Sequence, residues 1–178
     1  VTCSRCVFAN NTSNGNSMIV EVTGAGNAIV LDRCDFHGNS TQPPTVDQGA
    51  MVQVTNARAE LINTSMANNA GNGVRLEFAG ADATVTNCSF AGNAGSAIVF
   101  FAGALGVYNS IFHSNQRYGM YEPGALYEPR AFWNNLFFNN TLANYYDEGN
   151  TVRNTAAAIN AAAGASGRGT IVADPNIF

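Results

Sequence analysis

One short pattern recurs along this chain and constrains its fold more than anything else in it. A small or polar residue is followed, two positions on, by an aromatic residue or Met, and three positions after that by Asn. The copies are Cys6-x-Phe8-x-x-Asn11, Cys34-x-Phe36-x-x-Asn39, Thr64-x-Met66-x-x-Asn69, Cys88-x-Phe90-x-x-Asn93, Ser110-x-Phe112-x-x-Asn115 and Asn135-x-Phe137-x-x-Asn140. Successive Phe/Met positions are 28, 30, 24, 22 and 25 residues apart. A period in the twenties is too short for most two-helix repeats, and the segments between anchors alternate as strands do. The Leu-x-x-Leu-x-Leu pattern of leucine-rich repeats is absent. A coil of three short strands, stacked about six times, fits both the period and the alternation.

The residues within one period show how such a coil turns. In Gly73-Val74-Arg75-Leu76-Glu77-Phe78 apolar residues alternate with charged ones, which predicts a strand with Val74, Leu76 and Phe78 inward. Ala83-Thr84-Val85-Thr86 predicts a second strand and Cys88-Ser89-Phe90 a third. Val85, Cys88 and Phe90 can all face inward only if the chain bends between Val85 and Cys88. Asn87 stands at that bend, and Asn tolerates φ > 0 better than other non-Gly residues. The same place holds Arg5, Arg33, Asn63, Asn109 and Asn134. Stacked ~4.8 Å apart, equivalent residues form columns: a core column of Phe8, Phe36, Met66, Phe90, Phe112 and Phe137, and an asparagine ladder of Asn63, Asn87, Asn109 and Asn134.

Composition sets the outer bounds. The 178 residues suit one domain. With 46% hydrophobic residues the chain has a core to build. It contains 24 Asn, no Lys and eight scattered Arg, with a net charge of −4, so neither nucleic acid nor an anionic membrane is an expected partner. No apolar run reaches 18 residues, so no membrane insertion is expected. The sequence opens at Val1-Thr2-Cys3 inside a strand pattern, which reads as a processed or partial chain.

The Asn-Cys-x-Phe-x-x-Asn form resembles the pectate-lyase-like superfamily of right-handed parallel β-helix proteins, including the repeats of large bacterial surface proteins. The resemblance covers about residues 1 to 145 and implies an all-β solenoid. Residues 146 to 178 are expected to form a C-terminal coil and cap. Within them Thr155 to Ala163 reads as a short Ala-rich helix, with Asn154 or Thr155 as N-cap and Gly164 as terminator, placed to cover the end of the stack. The tail Asp174-Pro175-Asn176-Ile177-Phe178 is similar to the Asp-Pro-x-Phe segment that closes many bacterial extracellular β-helix domains.

Several residues invite chemistry. Cys3 and Cys6 have C-x-x-C spacing without a second pair. Cys6, Cys34 and Cys88 share one inward position, read as buried free thiols, with a Cys6–Cys34 disulfide or a metal site as alternatives. His37 and His113 follow the core Phe three coils apart, roughly 14 Å from each other, and read as solvated turn residues. Sequons at Asn10, Asn11, Asn39, Asn63, Asn87 and Asn139 are no more than so Asn-rich a chain produces. The resemblance implies that a lyase or hydrolase would carry carboxylates, Ca²⁺ and a basic Arg or Lys on an outward strand face. Here that column reads Glu21, Gln53, Glu77 and Phe101, with Arg75 and Val99 beside it, giving Glu77, Arg75 and Glu21 as weak catalytic candidates. No compact Asp cluster for Ca²⁺ is apparent, and no metal or other cofactor is expected.

The segment 116 to 133 is the better binding candidate. It repeats Tyr-Glu-Pro and holds three of the six Tyr and the single Trp. Rings beside charged groups suit a sugar, whose faces stack on aromatics while its hydroxyls take hydrogen bonds. Tyr118, Tyr121, Glu122, Tyr127, Glu128 and Arg130 are the ligand candidates; alternatively Trp133 packs inward and the tyrosines cover a long loop. The overall expectation is a secreted or cell-surface β-helix segment with a structural or adhesive role. Its partners would be a polysaccharide, a surface protein or, end to end, copies of itself. The alternative is a fragment of a polysaccharide lyase or glycoside hydrolase.

Overall fold

The computed structural model describes residues 1–14, 18–41, 49–124, 127–162 and 167–174. Three parallel sheets wind around one core. The first sheet stacks Thr2–Ser4, Ala28–Asp32, Arg58–Ile62, Asp82–Thr86, Ala104–Tyr108, Ala131–Trp133 and Gly167–Arg168. The second stacks Val7–Ala9, Asp35–His37, Ser65–Ala67, Ser89–Ala91, Ile111–His113, Leu136–Phe138 and Ile171–Val172. The third stacks Val20–Thr23, Ala50–Thr55, Asn72–Glu77, Ile98–Phe100, Tyr118–Tyr121 and Ala143–Asp147, and is closed by the antiparallel strand Thr151–Arg153. The result is the expected right-handed parallel β-helix with one short helix, Ala156–Ala162.

The turning geometry follows from two left-handed positions in each coil. Arg5, Arg33, Asn63, Asn87, Asn109 and Asn134, all at the predicted bend, have φ between 50 and 56°. A second such column follows the core aromatic: Asn10, Gly38, Asn68, Gly92, Ser114 and Asn139, with φ between 51 and 63°. Gly fits these places because it lacks a Cβ, and Asn because its short polar side chain can hydrogen-bond the local backbone in the left-handed region. Between the two corners lies the core column, in which Phe8 pairs with Phe36, Phe36 with Met66, Met66 with Phe90, Phe90 with Phe112 and Phe112 with Phe137. The rings stack at 4.3 Å (Phe8–Phe36), 5.2 Å (Phe90–Phe112) and 4.8 Å (Phe112–Phe137). Leu31, Leu61, Val85, Val107 and Phe132 face them from the first sheet, and Val52, Val74, Ile98, Met120 and Tyr145 from the third.

The continuous asparagine ladder runs through the last residue of the motif, not through the bend. Asn11, Asn39, Asn69, Asn93 and Asn115 each send the backbone N–H and the Nδ2 group to Oδ1 of the next Asn, at 2.9–3.2 Å. From Asn39 to Asn140 the second Nδ2 hydrogen reaches back to the carbonyl of the core residue one coil earlier, as Asn93 does to Met66 at 2.8 Å. Asn39, Asn69, Asn93 and Asn115 are almost completely buried, so a closed amide network is what makes them tolerable in a core. The bend residues are exposed and join in pairs, Asn87 to Asn63 and Asn134 to Asn109, both at 3.3 Å. Beside them, Thr64 and Ser110 accept from the backbone N–H of Cys34 and Cys88 (3.3 and 3.1 Å). That is why hydroxyls, thiols and Asn135 exchange at this position.

All four cysteines are free, so the Cys6–Cys34 bridge is not made. Burial pushes the Cys88 thiol up to about 11, which leaves it inert. Phe78 departs from the expected inward alternation. The strand ends at Glu77, and Phe78 takes φ 69° at the corner, where its carbonyl accepts from Ala81 (3.0 Å), leaving its ring 63% exposed.

The C-terminal helix packs onto the core through Ile159. The Ala158 N–H donates to Thr155 Oγ1 at 3.3 Å, making Thr155 the N-cap, and Ile159 is fully buried in the core. The helix lies so close to Gly167 that a Cβ there would meet the Asn160 carbonyl at 2.3 Å. Ala163, Gly164 and residues 175–178, which carried the expected terminator and the Asp-Pro-x-Phe resemblance, lie outside the described residues.

Asn93→Ala removes the acceptor for two buried donors on Asn69 and takes one donor from the Met66 carbonyl. It should lower unfolding free energy by about 2–4 kcal/mol in urea denaturation, whereas Asn134→Ala, at the exposed bend, should change it by less than about 1 kcal/mol.

Candidate functional site: the outer face of the third sheet and an acidic cluster

The register of the third sheet redraws its outward column. Glu21 pairs with Gln53, Gln53 with Arg75, Arg75 with Val99, Val99 with Tyr121 and Tyr121 with Tyr146. Glu77 is therefore not the rung after Gln53 but lies beside Thr55, one column over. The expected Glu21, Gln53, Glu77, Phe101 column was two residues out from its third rung. The coils differ in corner length, and hydrophobic alternation alone does not distinguish a shift of two, because a shift of two preserves the facing.

Glu77 is tied on both oxygens. Arg75 Nη2 donates to Oε1, and Gln53 Nε2 donates to Oε2 at 3.0 Å. The Arg75 guanidinium also lies 5.4 Å from the Phe101 ring centre. A carboxylate engaged on both sides braces its neighbours. Glu21 sits exposed in the first strand of the sheet, two rungs from Arg75, so the three weak catalytic candidates do not converge.

Further along the same face, aromatic rings gather. Tyr118, Tyr121 and Tyr146 have centroids 4.9–5.2 Å apart, and the Arg117 guanidinium lies 5.9 Å from the Tyr118 ring. All three rings are half-buried. Tyr118 and Tyr121, three apart in a strand, share a side because regular alternation breaks at Gly119. A Cβ on Gly119 would meet the Phe137 ring and the Asn144 carbonyl, each at 2.6 Å. The supposed long loop begins and ends in strands, Tyr118–Tyr121 and Ala131–Trp133. Trp133 does not pack inward: its strand neighbour Phe132 does, while Trp133 meets Tyr108 edge-on at 5.3 Å and lies 3.7 Å under the Arg168 guanidinium.

The remaining ligand candidates are dispersed. Tyr127 packs against the core. Arg130 lies on the outer face of the first sheet, 2.7 Å from both Asp82 and Thr84. Glu122 is completely buried. It follows Tyr121 on the inward side, in line with Val22, Val54, Leu76 and Phe100, so a carboxyl occupies the next place of an apolar column. Tyr145 donates its hydroxyl to Glu122 Oε2, and Oε1 has no partner among the described residues. Glu128, exposed, and Glu148, half-buried, each bring an oxygen within 4.8 Å of the others and of Glu122. Next to them Asp147 is neutralised by Arg153 at 2.9 and 3.1 Å.

The charges in this cluster work against one another. Burial, reinforced by Glu128, Glu148 and Asp147, pushes Glu122 up to about 8 against the opposing Tyr145 hydrogen bond. Burial and the same neighbours raise Glu128, and a hydrogen bond with Asp147 raises Glu148. Burial lifts Tyr145 well above the usual phenol range, which keeps it a donor. Tyr145, Tyr146, Asp147 and Glu148 escaped sequence reasoning, although a signal was present: Tyr146 lies 25 residues after Tyr121, the interval that separates Phe112 from Phe137.

A consequence follows for stability. The folded chain holds the Glu122 proton between about pH 4.5, its ordinary value, and about 8. The carboxyl's favourable contribution is complete below 4.5 and is lost as pH rises through 8. In metal-free buffer, Glu122→Gln should flatten the fall in urea midpoint across this window and exceed the parent in stability at pH 8 by about 2–4 kcal/mol; an unchanged slope would contradict the assignment.

Comparison with known proteins agrees with the fold. No curated protein and no solved structure matches the sequence. A family model described as the right handed beta helix region matches residues 1–170, and with three parallel sheets wound around one core this chain belongs to that family.

Proposed function

We propose that this chain is a secreted or cell-surface β-helix segment with a structural and adhesive role, which holds carbohydrate against the outer face of its third sheet. The observation that carries the reading is the Tyr118, Tyr121 and Tyr146 cluster. Its rings are fixed by the sheet register and by Gly119, so binding does not have to order them. Ring faces favour the C–H faces of a pyranose, while Arg117 on one side and the Arg75–Glu77–Gln53 network on the other supply donors and acceptors for its hydroxyls. Gln53 and Val99 are buried although they belong to the outward column, so contact with a ligand falls to the half-buried tyrosine rings beyond them.

Binding is favoured over cleavage. Glu77 is occupied on both oxygens, and among the described residues the acidic grouping at Glu122, Glu128 and Glu148 does not include it. The net charge of −4 directs the choice toward neutral polysaccharides over polyanionic ones.

Titration calorimetry against neutral and acidic oligosaccharides, with parallel incubation watching for unsaturated or reducing products, tests the reading. A neutral oligosaccharide should bind without being cleaved, and Tyr121→Ala should weaken binding at least about tenfold while leaving the circular dichroism of the stack unchanged. Turnover of any of the polymers would restore the lyase or hydrolase alternative; binding indifferent to Tyr121→Ala would remove this face from consideration.

A further inference from the structure

Three carboxylates meet where the core column of the third sheet reaches its end. Glu122 comes from the end of the Tyr118–Tyr121 strand, Glu128 from the segment that leads to Ala131–Trp133, and Glu148 from the turn between Ala143–Asp147 and Thr151–Arg153. Each offers an oxygen within 4.8 Å of the other two, and this is the one such acidic grouping among the described residues.

Packing does not account for it. The position before Glu122 in its column is Phe100, fully buried, and an apolar residue would continue the core at no electrostatic cost. Glu122 is itself completely buried, and among the described residues its Oε1 has no hydrogen-bond partner, nor does the buried Glu148 Oε2. Arg153, the basic residue at hand, is engaged by Asp147. Three carboxyl groups therefore converge on one place, and two of them carry a buried oxygen without a hydrogen-bond partner among the described residues, which native interiors seldom leave unsatisfied.

We propose that Glu122, Glu128 and Glu148 bind a divalent calcium ion. The donors are all carboxylate oxygens, which excludes the Cys and His preferences of zinc and selects a hard cation. Ca²⁺ holds oxygens at about 2.3–2.6 Å, so two ligands across it can stand up to about 5 Å apart. Mg²⁺, at about 2.0–2.1 Å, would draw them closer than about 4.2 Å and demand a regular octahedron. A spread of up to 4.8 Å suits the larger ion. Glu128, being exposed, leaves the site open to solvent on one side, so water can complete the shell. The bound ion would fasten three segments that converge at the cap, one from each of two successive coils and one between them. The site is distinct from the tyrosine face, and its occupancy does not depend on carbohydrate binding.

The experiment takes the chain freed of metal with chelator and titrates it with CaCl₂ and, separately, MgCl₂, reading heat and melting temperature. Terbium provides a second readout, because Tyr145 touches Glu122 and would sensitise Tb³⁺ luminescence on tyrosine excitation. One Ca²⁺ per chain is expected, with a rise in Tm of about 5–10 °C at ~100-fold excess over Kd, a weaker response to Mg²⁺, and Tb³⁺ emission that Ca²⁺ displaces. Glu128→Gln, at an exposed position, should keep the circular dichroism of the metal-free chain and abolish the Ca²⁺ shift; Glu122→Gln should abolish it too. No heat and no shift at millimolar Ca²⁺ would overturn the proposal, as would a Ca²⁺ response that survives both substitutions.

Discussion

A buried asparagine can exist in this core only if every hydrogen-bonding group it carries is matched, and the stack is the arrangement that matches them. Each interior Asn receives two hydrogen bonds on Oδ1 from the coil before it. It returns one from Nδ2 to that coil's neighbouring carbonyl and sends the other forward. The network closes only when coils lie one strand spacing apart in one register. Hydrophobic columns alone would accept a slip of two residues, since apolar side chains would still face inward. The amide ladder does not accept it, because a slip breaks three hydrogen bonds per coil at once. Burial drives the collapse, and the ladder selects the register.

That division explains where function can reside. Inward columns and corner positions are committed to holding one coil on the next, and the motif residues that make the chain recognisable are nearly all of this kind. What remains is the outer face of the third sheet and the places where a column departs from its own rule. Two departures stand close together. Gly119 interrupts the alternation and lets Tyr118 join Tyr121 and Tyr146 on the outside. One step further, Glu122 puts a carboxyl where Val22, Val54, Leu76 and Phe100 have hydrocarbon. Each departure carries a local cost in packing or in charge, and neither contributes to the stack.

Much of the architecture was legible in the sequence. Spacing of the Phe and Met anchors gave the coil, the bend residues gave the first corner, and Thr155 marked the start of the cap helix. The second corner was harder to see, because Asn, Gly and Ser alternate there and no single residue type announces it. The bend asparagines expected to form the ladder join only in two pairs, and the continuous ladder was missed for a related reason. Both Asn columns recur with the period, and only burial separates Asn93 from Asn87. Register on the outer face was not legible at all beyond its parity, which is why Glu77 was placed in the column that belongs to Arg75. The acidic cluster needed tertiary information of another kind: Glu122, Glu128 and Glu148 span more than a full coil, and their meeting depends on a hairpin, Asp147 to Thr151, that runs against the parallel order of everything before it.

The central claim, that the buried amide ladder fixes the register of the stack, is tested most directly by native-state hydrogen exchange. The backbone N–H groups of Asn39, Asn69, Asn93 and Asn115 each donate to a side-chain oxygen, Oδ1 of the next ladder residue, and not to a strand carbonyl. If the ladder holds the coils in register, these amides should exchange only through global unfolding, as slowly as those of the core residues Phe90 and Val85. Exchange through local opening, with an opening free energy well below that of Phe90 and Val85, would show that the hydrophobic columns hold the register without the ladder.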